Sequence, residues 1–64
     1  MLEFFPGDLA MFSSQYKETF LAFKNVGLMI VVENDARDNI VLLLMQNGKF
    51  IHCAARQLEL VQHA

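Results

Sequence analysis

The chain has no tryptophan, one proline, one cysteine and three glycines, and charged residues make up only 19% of it. Each scarcity excludes something. A lone cysteine, Cys53, cannot close an internal disulfide, and with His52 and His63 it forms no zinc-ligand spacing. Small domains usually supplement a limited core with disulfides, a metal or a partner subunit. For a chain of 64 residues lacking the first two, self-association is the supplement that remains. A single thiol among apolar neighbours suits a reducing, intracellular setting. Gly7, Gly27 and Gly48 are scattered, so there is no glycine-rich phosphate loop. The run from Ile40 to Met45 stops after six residues, far short of the roughly 18 needed to span a membrane. Met1 to Pro6 lacks the basic flank and apolar core of a secretion signal. A soluble, cytoplasmic protein is expected. The net charge of −2 and pI near 5.5 argue against a general affinity for nucleic acid or anionic membrane.

What is abundant is apolar surface. Hydrophobic residues make up 55% of the chain, above the roughly 45–50% usual for soluble domains. The densest stretch, Asn39 to Ala55, consists of two β-prone runs flanking Asn47-Gly48. Asn-Gly is the strongest short hairpin signal, because both residues tolerate the positive φ of a type I′ turn. A two-residue loop would pair Met45 with Phe50, Leu44 with Ile51, Leu43 with His52 and Leu42 with Cys53. Alternation then gathers Ile40, Leu42, Leu44, Ile51, Cys53 and Ala55 on one face, and Val41, Leu43, Met45, Phe50, His52 and Ala54 on the other. The first set is taken as the interior, although alternation alone leaves an exchange of inside and outside open.

The remaining elements follow in order. Pro6-Gly7-Asp8 reads as a turn, with Pro setting φ and Gly supplying freedom. Leu2, Phe4 and Phe5 ahead of it are either a packed lead-in or a frayed end. Leu9 to Phe12 is the first strand. Ser13 to Asn25 reads as a long loop holding one or two helical turns, since Tyr16, Phe20 and Phe23 recur at the helical period and Ser13 or Ser14 offers a cap. Those three aromatics either close one end of the core or form a binding element. Gly27 to Glu33 is the second strand, and Asn34 to Asn39 a polar turn without the spacing of a calcium loop. After the hairpin, Arg56-Gln57 is a tight turn and Leu58 to Val61 a last strand. Five strands, a long first loop and a short turn before the last strand make an all-β chain, a single domain over residues 1–64, bent into a small antiparallel barrel.

With its Pro6-Gly7-Asp8-Leu9 start, the Gly27-Leu28-Met29-Ile30-Val31 strand, the Asn47-Gly48-Lys49 hairpin and the Leu58-Glu59-Leu60-Val61 end, the chain resembles small Src-homology-3-like barrel proteins. It is most similar to short phage and marine microbial proteins of that kind. The resemblance covers nearly the whole length. It implies a five-stranded barrel with a short helical turn before the last strand, a phage-encoded protein working in host cytoplasm, and no catalytic residues. The chain departs from the signalling domains of that fold: without Trp, and with Lys17 balanced by Glu18 in the long loop, it lacks the aromatic and acidic grip on polyproline ligands.

Catalytic chemistry finds no footing in the sequence. His52 and Cys53 are adjacent on a strand, so they point to opposite faces and make no thiolate pair. Neither a cofactor nor a metal is expected. An interaction or structural module is the favoured reading, a homo-oligomer that buries the second hairpin face through Val41, Leu43, Met45, Phe50 and His52. The alternative is a weak nucleic-acid-binding accessory protein, with Tyr16, Phe20 and Phe23 stacking on bases and Lys17, Lys24, Lys49 and Arg56 converging at one barrel end.

Overall fold

The computed structural model describes residues 4–16, 21, 25–35 and 37–64. These residues form one five-stranded antiparallel sheet: β1 (Leu9–Phe12), β2 (Met29–Asp35), β3 (Ile40–Leu44), β4 (Phe50–Ala54) and β5 (Leu58–Gln62). The order across it is β4-β3-β2-β1-β5. A 3-10 turn, Ala55–Gln57, leads from β4 into β5. Among the described residues β4 and β5 remain the two edges, so backbone pairing does not close the sheet. The helical turns expected between Ser13 and Asn25 fall largely on positions 17–20 and 22–24, outside the described residues, as does Leu2.

The chain turns where its special residues stand. At Phe5-Pro6-Gly7-Asp8, the Asp8 N–H donates to the Phe5 carbonyl at 3.0 Å. Gly7 sits at φ 94°, the positive value required at the third position of a type II turn, with Pro pre-set at the second. The β3–β4 hairpin differs from the expected two-residue loop. The Gly48 N–H donates to the Met45 carbonyl at 3.0 Å, and the Met45 N–H to the Lys49 carbonyl at 2.8 Å. Among the described non-glycine residues only Asn39 has positive φ, while Gly48 stands at φ 84°. The loop is therefore Gln46-Asn47-Gly48, a turn closed by a glycine bulge, with the Asn47 side-chain oxygen accepting from the Lys49 N–H at 2.9 Å.

One extra loop residue changes everything about the faces. Leu44 pairs with Phe50, Leu43 with Ile51, Leu42 with His52, Val41 with Cys53 and Ile40 with Ala54. A one-residue slip carries a whole strand's side chains to the opposite side relative to its neighbour. The expected interior is thus corrected on β3, where Val41 and Leu43, 0% exposed, replace Ile40, Leu42 and Leu44; Ile51, Cys53 and Ala55 face the core as expected. Met45, Ile51 and Cys53 pack against the same core. Phe4, Ala10, Phe12, Met29, Val31, Ala55 and Leu58 complete it.

A bulge sets the phase of β2 as well. Strict alternation from Met29 and Val31 would turn the Glu33 carboxylate into the core, where an unpaired charge is costly. Instead the register shifts between Val31 and Glu33. Val32 and Glu33 both face outward, and Asn34 turns partly inward. Its side-chain N–H donates to the Phe4 carbonyl at 3.1 Å, tying the lead-in segment down. A second shift, between Leu9 and Ala10 against β5, bends the other end. The result is a curled sheet with extents of 27 × 24 × 19 Å, too thick for a flat one.

Asp8 ties the lead-in turn to the segment that follows β5. It is 1% exposed, and its carboxylate accepts from the Phe5 N–H at Oδ2, 2.9 Å away, and from the Ala64 N–H at Oδ1, also 2.9 Å away. His63 Nδ1 lies 3.2 Å from Oδ2. The Phe5 N–H, then the Ala64 N–H, and less strongly His63 hold the carboxyl below its ordinary 3.8, outweighing the opposing effect of burial. A lowered carboxyl pKa stabilises the fold above the ordinary value, and that contribution is lost as pH falls through the folded value. Asp8→Ala is expected to lower Tm by roughly 5–10 °C at neutral pH, and by progressively less below about pH 4. Thermal melts of both proteins across that range would show it; a difference that does not change with pH would assign the loss to packing instead.

Candidate interaction surface

The corrected register defines what the sheet presents to solvent. On the outer face, Ile30 pairs with Leu44, and Leu44 with Phe50, forming one row. Glu33, Leu42 and His52 form the next, and Asp35, Ile40 and Ala54 the third. Phe50 is 62% and Ile30 44% exposed, and Val32 is also open to solvent. Leu42, Leu44 and Ile40 are half-buried. The row Ile30-Leu44-Phe50 is apolar and continuous across three strands, and Leu42 and Ile40 extend it along β3.

Its polarity changes along the strands. At the β2–β3 end, Glu33, Asp35, Asp38, Ile40, Leu42 and His52 line a shallow groove of about 260 Å³. Strand chemistry explains the grouping. Val32 and Glu33 sit on the outward bulge, and Asp35 accepts from the Arg37 N–H at 3.0 Å and the Asp38 N–H at 3.4 Å as the chain turns. Asn39, at φ 57°, completes that turn, a conformation its short amide side chain tolerates. At the opposite end stand Gln46, Asn47 and Lys49 beside a second depression of about 370 Å³, lined by Asn25, Val26, Met45, Gln46 and Asn47. Among the described residues, no group of three His, Cys, Asp or Glu side chains is disposed to hold a metal ion.

The five residues expected to form an outer interface divide between the faces. Phe50 and His52 are exposed on it, whereas Val41 and Leu43 are core residues and Met45 packs against the core. The three-residue loop is the cause. Ile40, Leu42 and Leu44 take the vacated places, together with Ile30 and Val32 of β2. The β-branched residues alternating with Met29 and Val31 are the signal that could have pointed to the last two. Of the aromatics considered as binding elements, Tyr16 is half-buried, and Phe20 and Phe23 lie outside the described residues. The expected convergence of basic residues is corrected where it can be followed: Lys49 precedes β4 and Arg56 follows it, so a whole strand separates them. Lys17 and Lys24 lie outside the described residues.

His52 and Cys53 do point to opposite faces. Cys53 is half-buried, its Sγ 3.5 Å from the Ala54 carbonyl, and burial pushes its thiol up to about 11. At neutral pH it carries almost no thiolate, the form in which cysteine acts as a nucleophile. Comparisons with protein-family models, with curated proteins and with solved structures find no match to this chain.

Proposed function

We propose that this chain is a non-enzymatic interaction module, built as a small Src-homology-3-like barrel, that self-associates through the outer face of β2, β3 and β4. The β4-β3-β2-β1-β5 order, two bulges and a 3-10 turn before the last strand support the barrel reading. In that reading, curling and side-chain packing close the core where the backbone ladder stops. Kinship with short phage proteins belongs to the same proposal.

One observation carries the functional reading. Ile30, Val32 and Phe50 are exposed beside half-buried Leu42 and Leu44, forming a continuous apolar face. Soluble monomers rarely leave such patches open beyond a few hundred Å². Covering them against a second copy contributes about 25 cal/mol per Å² of apolar area, before the costs of association. A chain this small gains most from such an addition.

Light scattering at two widely separated concentrations tests the reading. The expected result is a stable multiple of 7.3 kDa, with Phe50→Lys shifting the mass to the monomer while the circular dichroism stays that of the parent. A mass of one chain at the higher concentration would overturn it.

A further inference from the structure

The free edge of β4 is open in a way that the free edge of β5 is not. The β3–β4 ladder is anchored at both ends: the Met45 N–H donates to the Lys49 carbonyl, and the Ala55 N–H to the Asn39 carbonyl. Between these anchors the register is unbroken, from Leu44 opposite Phe50 to Ile40 opposite Ala54. Antiparallel pairs alternate between those that exchange backbone bonds and those that do not. Counting inward from either anchor gives the same phase. Ile51 and Cys53 bond to β3, whereas Phe50, His52 and Ala54 aim their N–H and C=O groups away from it. Among the described residues no strand lies on that side, and the Ala54 carbonyl meets only the Cys53 Sγ, at 3.5 Å. Edge strands are usually blunted by a charge, a proline or a bulge. β5 has a charge, Glu59, and a register shift against β1. Phe50-Ile51-His52-Cys53-Ala54 has none of the three, and its nearest charges, Lys49 and Arg56, stand outside its ends.

We propose that this edge docks on β4 of a second copy, the two strands running antiparallel about a two-fold axis through His52. The axis stands perpendicular to the sheet, so the contact is isologous. It is separate from the outer-face contact, because both outer faces end on the same side of one continuous sheet, still uncovered. Bonds form only where outward-aimed groups oppose one another, and centring on His52 is the register that uses the whole strand. Phe50 then pairs with the partner's Ala54, and His52 with the partner's His52. Side chains fit the same register. On the outer face the exposed Phe50 ring lies beside a small Ala54. On the other side Ile51 lies opposite the partner's Cys53, again large beside small, and both already pack against their own cores. Such cross-strand pairs are the unit of sheet stabilisation. Lys49 of each copy approaches the turn that carries the partner's Arg56, so screening by salt favours the pair.

Disulfide trapping reads this register directly. Across the new contact, position 51 and the partner's position 53 form a pair without backbone bonds. Their Cα atoms lie about 4.5 Å apart, within the span of a disulfide. The two native Cys53 thiols are offset by two residues, with Cα atoms about 8 Å apart, so the parent does not cross-link. Ile51→Cys is therefore expected to give a covalent dimer on oxidation with copper phenanthroline at moderate salt, and reductant reverses it. Adding Cys53→Ser abolishes the product. Adding His52→Pro instead, which deletes an N–H aimed away from β3 and spares its ladder, lowers the yield roughly tenfold. Circular dichroism checks the fold of each variant. If Ile51→Cys does not fold, Phe50→Cys and Ala54→Cys chains, each with Cys53→Ser, are mixed and must cross-link to each other and not to themselves. Ile51 and Cys53 are absent from the outer face, so an outer-face dimer gives no product with Ile51→Cys. No covalent dimer, or one that survives Cys53→Ser or a folded His52→Pro, overturns the edge pair. Outer-face assembly is then still decided by light scattering of the parent.

Discussion

Leu43→Lys is expected to unfold this protein, whereas Leu42→Lys, one residue earlier, leaves it folded. The two leucines are neighbours on β3, yet Leu43 is 0% exposed and Leu42 lies on the outer face. Removing a buried leucine side chain costs about 3–5 kcal/mol. A lysine ammonium in the same space adds the penalty of an unpaired charge away from water, several kcal/mol more. A domain of this size has about 3–10 kcal/mol of stability in all, at roughly 0.05–0.15 kcal/mol per residue. The loss consumes most or all of it. Leu42→Lys instead removes part of the exposed apolar centre, so its effect belongs to assembly. Urea titration followed by circular dichroism separates the pair. A cooperative unfolding transition for Leu43→Lys near that of the parent would mean that the hairpin register described above is wrong.

Phe4→Ala is expected to cost about 3–5 kcal/mol, and Phe5→Ala less than about 0.5 kcal/mol. Phe4 is 1% exposed and belongs to the core, while Phe5 beside it is 54% exposed. The difference comes from how the segment is fastened. Asn34 holds the Phe4 carbonyl and Asp8 holds the Phe5 N–H, and the Pro6-Gly7 turn fixes the direction from which the first ring enters. The Gly7 N–H donates to the Val31 carbonyl at 2.8 Å, and the Val31 N–H to the Asp8 carbonyl at 2.9 Å. These extend the pairing with β2 back past the start of β1. The lead-in from Phe4 onward is thus packed rather than frayed. Equal chemical-denaturation midpoints for the two variants would contradict it.

Much of the fold is legible without any geometry. The first strand is expected at Leu9 to Phe12 and lies there. The last begins at Leu58 as expected and runs one residue further, to Gln62. Turn residues mark the reversals at Pro6-Gly7, Asp38-Asn39 and Asn47-Gly48, whereas Ala55-Arg56-Gln57 carries none. Less legible is the second strand, expected at Gly27 to Glu33 and found at Met29–Asp35. Asn34 and Asp35 have turn-forming side chains, but their backbones pair with Val41 and Ile40, and pairing overrides local preference. The tight turn at Arg56-Gln57 is one round of 3-10 helix that begins at Ala55.

The apolar face of the hairpin is the part least open to sequence reasoning. Both runs alternate, and both alternations are real. What alternation lacks is the phase of one strand against the other. Asn47-Gly48 serves a two-residue turn or a three-residue loop equally well, because glycine supplies positive φ in either. The bulge beside Val32 is similar: the cost of burying Glu33 argues for some shift, but nothing local says where the extra residue goes.

The number of strands and the places where the chain turns belong to the sequence alone, since they depend on the local chemistry of proline, glycine, asparagine and β-branched runs. Which side chains are core and which are surface emerges only in the folded sheet. That assignment rests on the register between strands, and register depends on long-range pairing that a one-residue loop difference inverts. Leu43 in the core, Leu42 outside and carboxylates at one end of the exposed face all follow from that single difference and its companion bulge.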